Sequence, residues 1–573
     1  MSGKYYLRFE KICYGIFIGE KNKHPIDDTH PFIFRDANKC IKCGRCVRIC
    51  AEVQGPGVLG YIFRGFVSYV APEFDESLMN TACESCGKCI EVCPVGALVP
   101  KNRNVKLNPD VTEKTVQNCG LCGTGCKIEV NIQSGDITTI TTPSEIGFND
   151  RNLCFDGRFG WQGYYDSERV LNAYIRRDKE NEWKSKESPW IKLKSYSDAS
   201  NVIIENIKKA NSKKIYVSPS STNEEILLMK AIAEKIGAQI SSLTYEKNFL
   251  EPVLLSNMMN KTYEDLQKAE TIVVVGSISG VLRNLIRSEQ RKGKKLIVIT
   301  QDSSSFNQFS DELFDTESIL AILEKIIESY YEEEDSETSK NNHPEIKNVI
   351  TEQIELEIPS KTLFIYDNEK VSEEIIWNIW WLATTVCDFK DGSGVLPTSQ
   401  FNNSRGLLKM GIGSANSLKS DFAILYGELP TQEQLKWIKK SDFVVSVNTH
   451  FDANDSSNVI FPQAPYTEIE GSAIANDGRI TEFHNPLKSD IFPKILRFFA
   501  DIDLIDKSQD NSKYWKNAVK DYLDMKQVKK EFTLETLADY IYSIENAKDY
   551  HPRFHSIQKV ILQNMKRLTK ESS

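Results

Sequence analysis

Beyond about residue 160, the apolar positions of this chain fall into short continuous runs separated by stretches of helical spacing. The runs at 271–276 and 296–300 are β-branched and too short for buried helices. They predict strands covered on both faces in a parallel sheet. Segments 215–218, 362–366, 422–426 and 443–447 repeat the pattern, while 223–237 has helical periodicity. The longest apolar stretch, 375–387, is thirteen residues long and holds Trp377, Trp380 and Trp381. It is too short to cross a bilayer and predicts a buried helix. Strand–helix alternation of this kind implies two α/β lobes. An acidic low-complexity run beginning at Glu332, with a linker near 331–345, predicts a solvated linker or exposed loop. From about Pro493 onward the chain reads as helices with polar surfaces.

Before residue 160 the grammar differs. Segments 127–133 and 137–141 read as short strands, and 58–70 alternates well enough for a strand or hairpin. Twelve of the fourteen cysteines fall in three clusters, all before residue 155. At 573 residues the chain should hold roughly three or four domains. Its 40% hydrophobic and 26% charged residues are ordinary for a globular protein. A net charge of −9, without a basic stripe interleaved with aromatics, argues against a nucleic-acid partner. No transmembrane segment or leader is recognisable, which predicts a cytoplasmic protein.

The cysteine spacing carries the chemistry. Cys40, Cys43, Cys46 and Cys50 form one CxxCxxCxxxC run; Cys83, Cys86, Cys89 and Cys93, followed by Pro94, form a second. In this form three thiolates hold one iron–sulfur cube and the fourth reaches across to the other. The first 4Fe–4S cluster should therefore use Cys40, Cys43, Cys46 and Cys93, and the second Cys83, Cys86, Cys89 and Cys50. A third set, Cys119, Cys122 and Cys126, is closed by Cys154 after a gap of 27 residues. Spacing alone leaves structural zinc as its competitor, since four thiolates also bind Zn²⁺ well. Disulfides are disfavoured by the metal-like CxxC spacing. Gly44, Gly87, Gly120, Gly123 and Gly125 would let backbone amides approach cluster sulfurs. Three clusters in one small module read most simply as a wire for single electrons. Cys13 and Cys387 read as small buried residues, and His24 and His30 as local caps or packing groups. The loop 276–280 follows a buried strand but lacks a full GxGxxG pattern.

Specific residues add a resemblance. The segment 24–35 leading into the first cluster, 50–55, 93–98, the third cysteine set ending in Leu153-Cys154, and 157–160 resemble the molybdopterin oxidoreductase superfamily. So do Asn402-Asn403-Ser404-Arg405-Gly406, 461–464, 470–472, Asn476 and Gly478-Arg479. The nearest likeness is to alpha subunits of NAD-linked formate dehydrogenases and to the large iron–sulfur subunit of complex I. The resemblance implies an α/β multi-domain chain: a lead-in at 1–35, a ferredoxin-like domain for two 4Fe–4S clusters at 36–110, and a small β-rich 4Fe–4S domain at 111–165. A body of two Rossmann-like α/β lobes would occupy 166–500, and a helical C-terminal segment 501–573.

Three departures bear on function. Catalytic relatives hold molybdenum or tungsten through a cysteine or selenocysteine in the first lobe, but 238–250 has neither; Ser241 and Ser242 are weak substitutes. A lysine two residues after the last cluster cysteine is replaced by Asp156. The lobe that closes over the second pterin is not recognisable after about residue 500. Only Cys13 precedes the first cluster, too few ligands for the 2Fe–2S domain that opens longer relatives. The departures imply a degenerate pterin body without molybdopterin. The expected function is an electron-transfer subunit with no catalytic residue of its own, partnered by a flavin/NAD(P)-binding subunit, other redox subunits or ferredoxin. The alternatives are a catalytic molybdenum or tungsten formate dehydrogenase alpha subunit and the electron-carrying part of an iron-only hydrogenase assembly.

Overall fold

A computed structural model describes residues 22–101, 112–144, 147–165, 168–177, 189–244, 261–278, 280–301, 306, 309–332, 356–368, 370–415, 419–451 and 456–529. Cys13, the acidic run past Glu332, Ser279, positions 245–250 and the chain after 529 lie outside the described residues. Two compact units divide the chain, residues 1–106 and 107–573.

In the first unit, short strands Ile26–Asp27, Ile33–Asp36 and Leu98–Pro100 form an antiparallel sheet, with Ile33–Asp36 in the middle. The alternating segment 58–70 forms a hairpin of Gly60–Ile62 against Tyr69–Ala71. Its apolar core is small: Ile33, Leu59, Val70, Leu78 and Leu98 enclose Cys46, with five more cysteines packed against them. Buried Arg35 ties this unit together, 3.6 Å from Asp27 and 3.4 Å from Asp75. Removing either carboxylate would strand a desolvated guanidinium, a change costing several kcal/mol.

The second unit opens with an antiparallel sheet of Glu113–Asn118, Lys127–Gln133 and Asp136–Thr141. A seven-stranded sheet follows in the order Trp190–Lys192, Tyr174–Arg176, Val459–Pro462, Phe443–Asn448, Phe422–Tyr426, Lys213–Val217 and Gln239–Ser241. Its first three strands pair antiparallel and the rest parallel. A second, wholly parallel sheet runs Glu312–Asp315, Lys295–Thr300, Thr271–Val275, Thr362–Asp367 and Gly394–Thr398. Every strand of this second sheet falls, in sequence, between Gln239–Ser241 and Phe422–Tyr426, which belong to the first. The acidic run lies in sequence between Thr271–Val275 and Thr362–Asp367, and these strands pair directly.

Both faces of these parallel strands are covered, which explains their continuous apolar runs. Ile215 and Val217 share one core with Val273 and Val275 of the other sheet, while alternate residues Tyr216, Ile272 and Val274 face separate clusters. Helix Glu373–Val386 lies in the shared core; Ser372 caps it, and Trp377, Trp380 and Trp381 are all buried. The Trp380 indole donates to the Tyr366 hydroxyl at 3.0 Å, satisfying its polar edge. Helix Asn223–Ile236 begins at a Thr222–Glu225 capping box and ends at left-handed Gly237. Helix Ile491–Asp501 differs from the polar-surfaced element expected there. Ile491, Phe492, Ile495, Leu496, Phe498 and Phe499 are buried in the shared core, and Pro493 sits in the first turn, where no amide donor is missed. No described helix is long and apolar enough to cross a membrane.

Candidate metal centres

The two cysteine runs of the first unit share one backbone. Lys42 and Ser85 adopt φ of 56° and 55°, and Gly44 and Gly87 follow at 73° and 67°. Each left-handed glycine then starts a short helix, Arg45–Arg48 or Lys88–Val92. The glycines are required by this turn, because side-chain-bearing residues pay a steric penalty at such φ. Space is also short at the first: a Cβ on Gly44 would lie 2.9 Å from the Tyr61 hydroxyl, which donates to the Lys42 carbonyl at 2.8 Å.

This doubled geometry sorts the eight cysteines across the two runs. Cys40, Cys43, Cys46 and Cys93 line one cavity, walled by Leu59, Val70, Pro94 and Leu98. Cys50, Cys83, Cys86 and Cys89 line another, walled by Ile33, Val58 and Leu78. Burial pushes the Cys46 thiol up to about 11, with Cys40, Cys93 and Cys43 adding to the rise. Burial likewise holds Cys89 well above the usual thiol range, reinforced by Cys86, Cys83 and Cys50. These groups are neutral thiols near pH 7 unless a cation displaces their protons. His30 is a packing group: its Nδ1 accepts from the Phe32 and Ile33 amides at 3.0 Å each, and Nε2 lies 2.9 Å from Ser85 Oγ on the second run. His24 lies against Tyr69, ring centroids 4.0 Å apart.

In the second unit, Cys119, Cys122 and Cys126 occupy the turn between Glu113–Asn118 and Lys127–Gln133, closed by the Cys119 amide donating to the Cys126 carbonyl at 2.8 Å. Cys154 stands at the N-terminus of helix Phe155–Phe159, its Sγ accepting from the Gly157 amide at 3.4 Å. The four thiols influence one another: burial raises Cys119 and Cys126 far above the ordinary range, and Cys122 and Cys154 raise both further. Burial also pushes Cys154 up to about 12. The glycines here have a role that spacing did not reveal. A Cβ on Gly120 would lie 2.5 Å from Tyr466 Cβ, and one on Gly123 2.0 Å from Asn476 Oδ1. Gly280, at the end of the loop 276–280, packs against Cys154; its Cβ would lie 3.2 Å from Cys154 Cβ.

Charge around the third set is mixed. Asp156 raises the thiols of Cys119, Cys122 and Cys154, after burial at all three and after neighbouring cysteines at Cys119 and Cys154. Arg479 acts in the opposite direction on Cys126. It donates to the Thr124 carbonyl at 3.2 Å, pairs with Asp477, and lies 3.8 Å above the Phe148 ring. Sequence reading marked Gly478-Arg479 as a landmark but missed this cation beside the cysteines. Arg479 follows the turn Asp477-Gly478, which joins Gly471–Ile474 to Ile480–Phe483, and no local spacing ties it to the cysteines.

A family profile described as molybdopterin oxidoreductase matches residues 194–491, more than half of the chain. The chain belongs to the molybdopterin oxidoreductase family. Residues 30–99 match the ferredoxin-like domain of NADH-quinone oxidoreductase subunit 3. Among curated relatives, NADPH-Fe(3+) oxidoreductase subunit alpha of Geobacter sulfurreducens is 23% identical over 53% of this chain and 36% of its own length. NADH-quinone oxidoreductase subunit 3 of Thermus thermophilus is 28% identical over 45% of this chain and 31% of its own. NADP-reducing hydrogenase subunit HndD of Solidesulfovibrio fructosivorans is 47% identical over 14% of each chain. The chain thus spans little more than a third of the length of these relatives at most.

Among the described residues, the donor set does not fit the family's metal. Cys387, the one cysteine after Cys154, is buried and donates to the Thr362 carbonyl at 3.3 Å. Ser242 directs its hydroxyl to Glu428 at 2.7 Å. The close-approach glycine of the Asn402–Gly406 motif is filled from within: a Cβ on Gly406 would lie 2.0 Å from Asn403 Oδ1 and 2.4 Å from Asn223 Oδ1.

Proposed function

We propose that this chain is the iron–sulfur electron-transfer subunit of an NAD(P)- or ferredoxin-linked oxidoreductase complex, passing single electrons through three 4Fe–4S clusters. The observation that carries the reading is the sorting of Cys40, Cys43, Cys46 and Cys93 onto one cavity and Cys50, Cys83, Cys86 and Cys89 onto another. Only a crossed pairing uses all eight thiols in this way. Cys119, Cys122, Cys126 and Cys154 would hold the third cluster. When bound, such clusters supply reversible one-electron storage at potentials set by charge, burial and hydrogen bonds.

The chain's own residues prepare that chemistry. The buried thiols release protons as iron binds, so loading depends on pH. Ile33, Leu59, Val70 and Leu78 exclude water from the first two sites. Asp156 and Arg479 set opposing charges at the third. The α/β body would serve as scaffold and docking surface; it offers no cysteine for molybdenum or tungsten. Flavin/NAD(P)-binding and other redox subunits are the partners this reading calls for.

Elemental analysis of protein purified without oxygen tests it. About twelve irons per chain, without stoichiometric molybdenum, tungsten or zinc, is the expected result. Stoichiometric molybdenum or tungsten would overturn it in favour of a catalytic body. About eight irons with one zinc would assign the third set to structure.

A further inference from the structure

The two cysteine runs of the first unit are alike in backbone but opposite in charge. Where the second run has Glu84, Ser85, Lys88 and Glu91, the first has Ile41, Lys42, Arg45 and Arg48 at the matching positions. Lys88 is buried and paired with Glu91 at 3.3 Å, so the second run presents no exposed cation. Lys42, Arg45 and Arg48 are exposed, and among the described residues none makes an ion pair. The carboxylates nearby are few. Asp36 is engaged by Lys39 at 3.5 Å, and Glu52 shares a surface depression with Arg45, Arg48 and the lysine-paired Glu91. Of the twelve clustered cysteines, Cys43 is the exposed one. Ile41 and Val95, 63% and 37% exposed, also line its cavity. In a chain of net charge −9, three cations without an ion pair among the described residues are thus gathered around an apolar patch over one cysteine cavity.

We propose that this mouth, built by Ile41, Lys42, Cys43, Arg45, Arg48 and Val95, is the docking surface for an acidic one-electron carrier protein. Electrons would enter or leave the chain there. The proposal rests on the electron-transfer reading above and adds the port and the sign of its partner. The apolar centre suits close approach to the thiolate at Cys43, and the cationic rim suits steering and orientation of a negative surface. One electron passes per encounter: the carrier is oxidised as the chain is reduced, or the reverse, and no bond forms or breaks.

The test uses the full chain, loaded with iron and kept free of oxygen, with an acidic ferredoxin as probe and cationic cytochrome c as control. Binding is measured by surface plasmon resonance and electron exchange by stopped-flow absorbance, each across a range of salt. The acidic carrier should bind, with a rate of exchange falling at least about tenfold as salt screens the rim. The triple variant Lys42→Glu, Arg45→Glu, Arg48→Glu should lose about a hundredfold in exchange rate while keeping its iron and its reduction by dithionite. Lys42→Gln, Arg45→Gln, Arg48→Gln should fall between, and Lys208→Glu, on an exposed helix face, should match the unmodified chain. Equal binding by the iron-loaded charge-reversal variant would overturn the proposal, as would tighter binding of cytochrome c or of a short DNA duplex. Salt-dependent binding of the ferredoxin without any electron exchange would uphold the docking surface and overturn the electron-transfer reading instead.

Discussion

The first unit and the α/β body of the second are held together by different physics. In the α/β body the core is aliphatic and aromatic throughout, and its one cysteine, Cys387, is incidental packing. In the first unit Cys46 sits inside the core itself, and Cys40, Cys50, Cys83, Cys89 and Cys93 pack against it. Few large apolar side chains remain there to exclude water, and its sheets are only two or three strands wide. A core that thin gives limited stability by apolar contacts, and bound metal would add folding energy to it. The comparison teaches that iron in the first unit would be structural as well as functional, while the body should be indifferent to it.

The largest expected effect breaks the first side of that comparison. Cys50→Ser removes the one thiol that its run contributes to the second cavity. Iron content should fall by about four per chain, and the first unit should lose its protease resistance. Limited proteolysis followed by mass spectrometry would find cuts within 22–101 and none in 261–332; cuts spread evenly over both would refute the division.

The body breaks by a different route. Trp380→Ala leaves a cavity in the core shared by the two large sheets and strands the Tyr366 hydroxyl. The cost should be about 3–5 kcal/mol in urea unfolding followed by tryptophan fluorescence, with iron content unchanged.

A pH dependence sharpens the contrast. Burial, only partly offset by hydrogen bonds from Ser472, pushes the Glu224 carboxyl up to about 7 from a usual 4.5. The folded chain therefore holds a proton there that the unfolded chain has released. Body stability should fall as pH rises from about 4.5 to 7, by about 3 kcal/mol, and level off above. Glu224→Gln should flatten that slope in urea unfolding at pH 5 and pH 7.5.

How far the sequence reached follows the same divide. Strands buried on both faces, such as Thr271–Val275 and Phe443–Asn448, were legible because burial on both sides leaves a nearly continuous apolar run. The three-residue strands Tyr174–Arg176 and Trp190–Lys192, the outer two on one side of the first sheet, were not: three residues leave no period to read. Strand Glu113–Asn118 hid for a related reason, since its one buried side chain is Gln117, which donates to the Tyr466 carbonyl at 3.5 Å. The nesting of one sheet within the other was also invisible, because Lys213–Val217 pairs with Phe422–Tyr426 through contacts that no local pattern encodes. The cysteine sets were the opposite case. Ligand spacing is a local property, so Cys40 to Cys50 and Cys83 to Cys93 declared themselves, while their distant neighbour Arg479 did not.

The smallest effect concerns that neighbourhood. At the third cysteine set the chain places an anion, Asp156, where catalytic relatives carry a lysine, and a cation, Arg479, on the far side near Cys126. An anion beside a cluster disfavours the added electron and lowers the potential; a cation raises it. Asp156 is exposed, so solvent screens most of its charge and the effect should be on the order of 1 kcal/mol. Asp156→Asn should raise the potential of the third cluster slightly and Asp156→Lys further, with the signals of the other two unmoved in an EPR-monitored redox titration. Arg479→Gln should shift the same signal the opposite way. If both substitutions moved it in one direction, the two side chains would be acting through packing of the Cys119–Cys126 turn and not through charge, and the third site would lose its claim to a tuned potential.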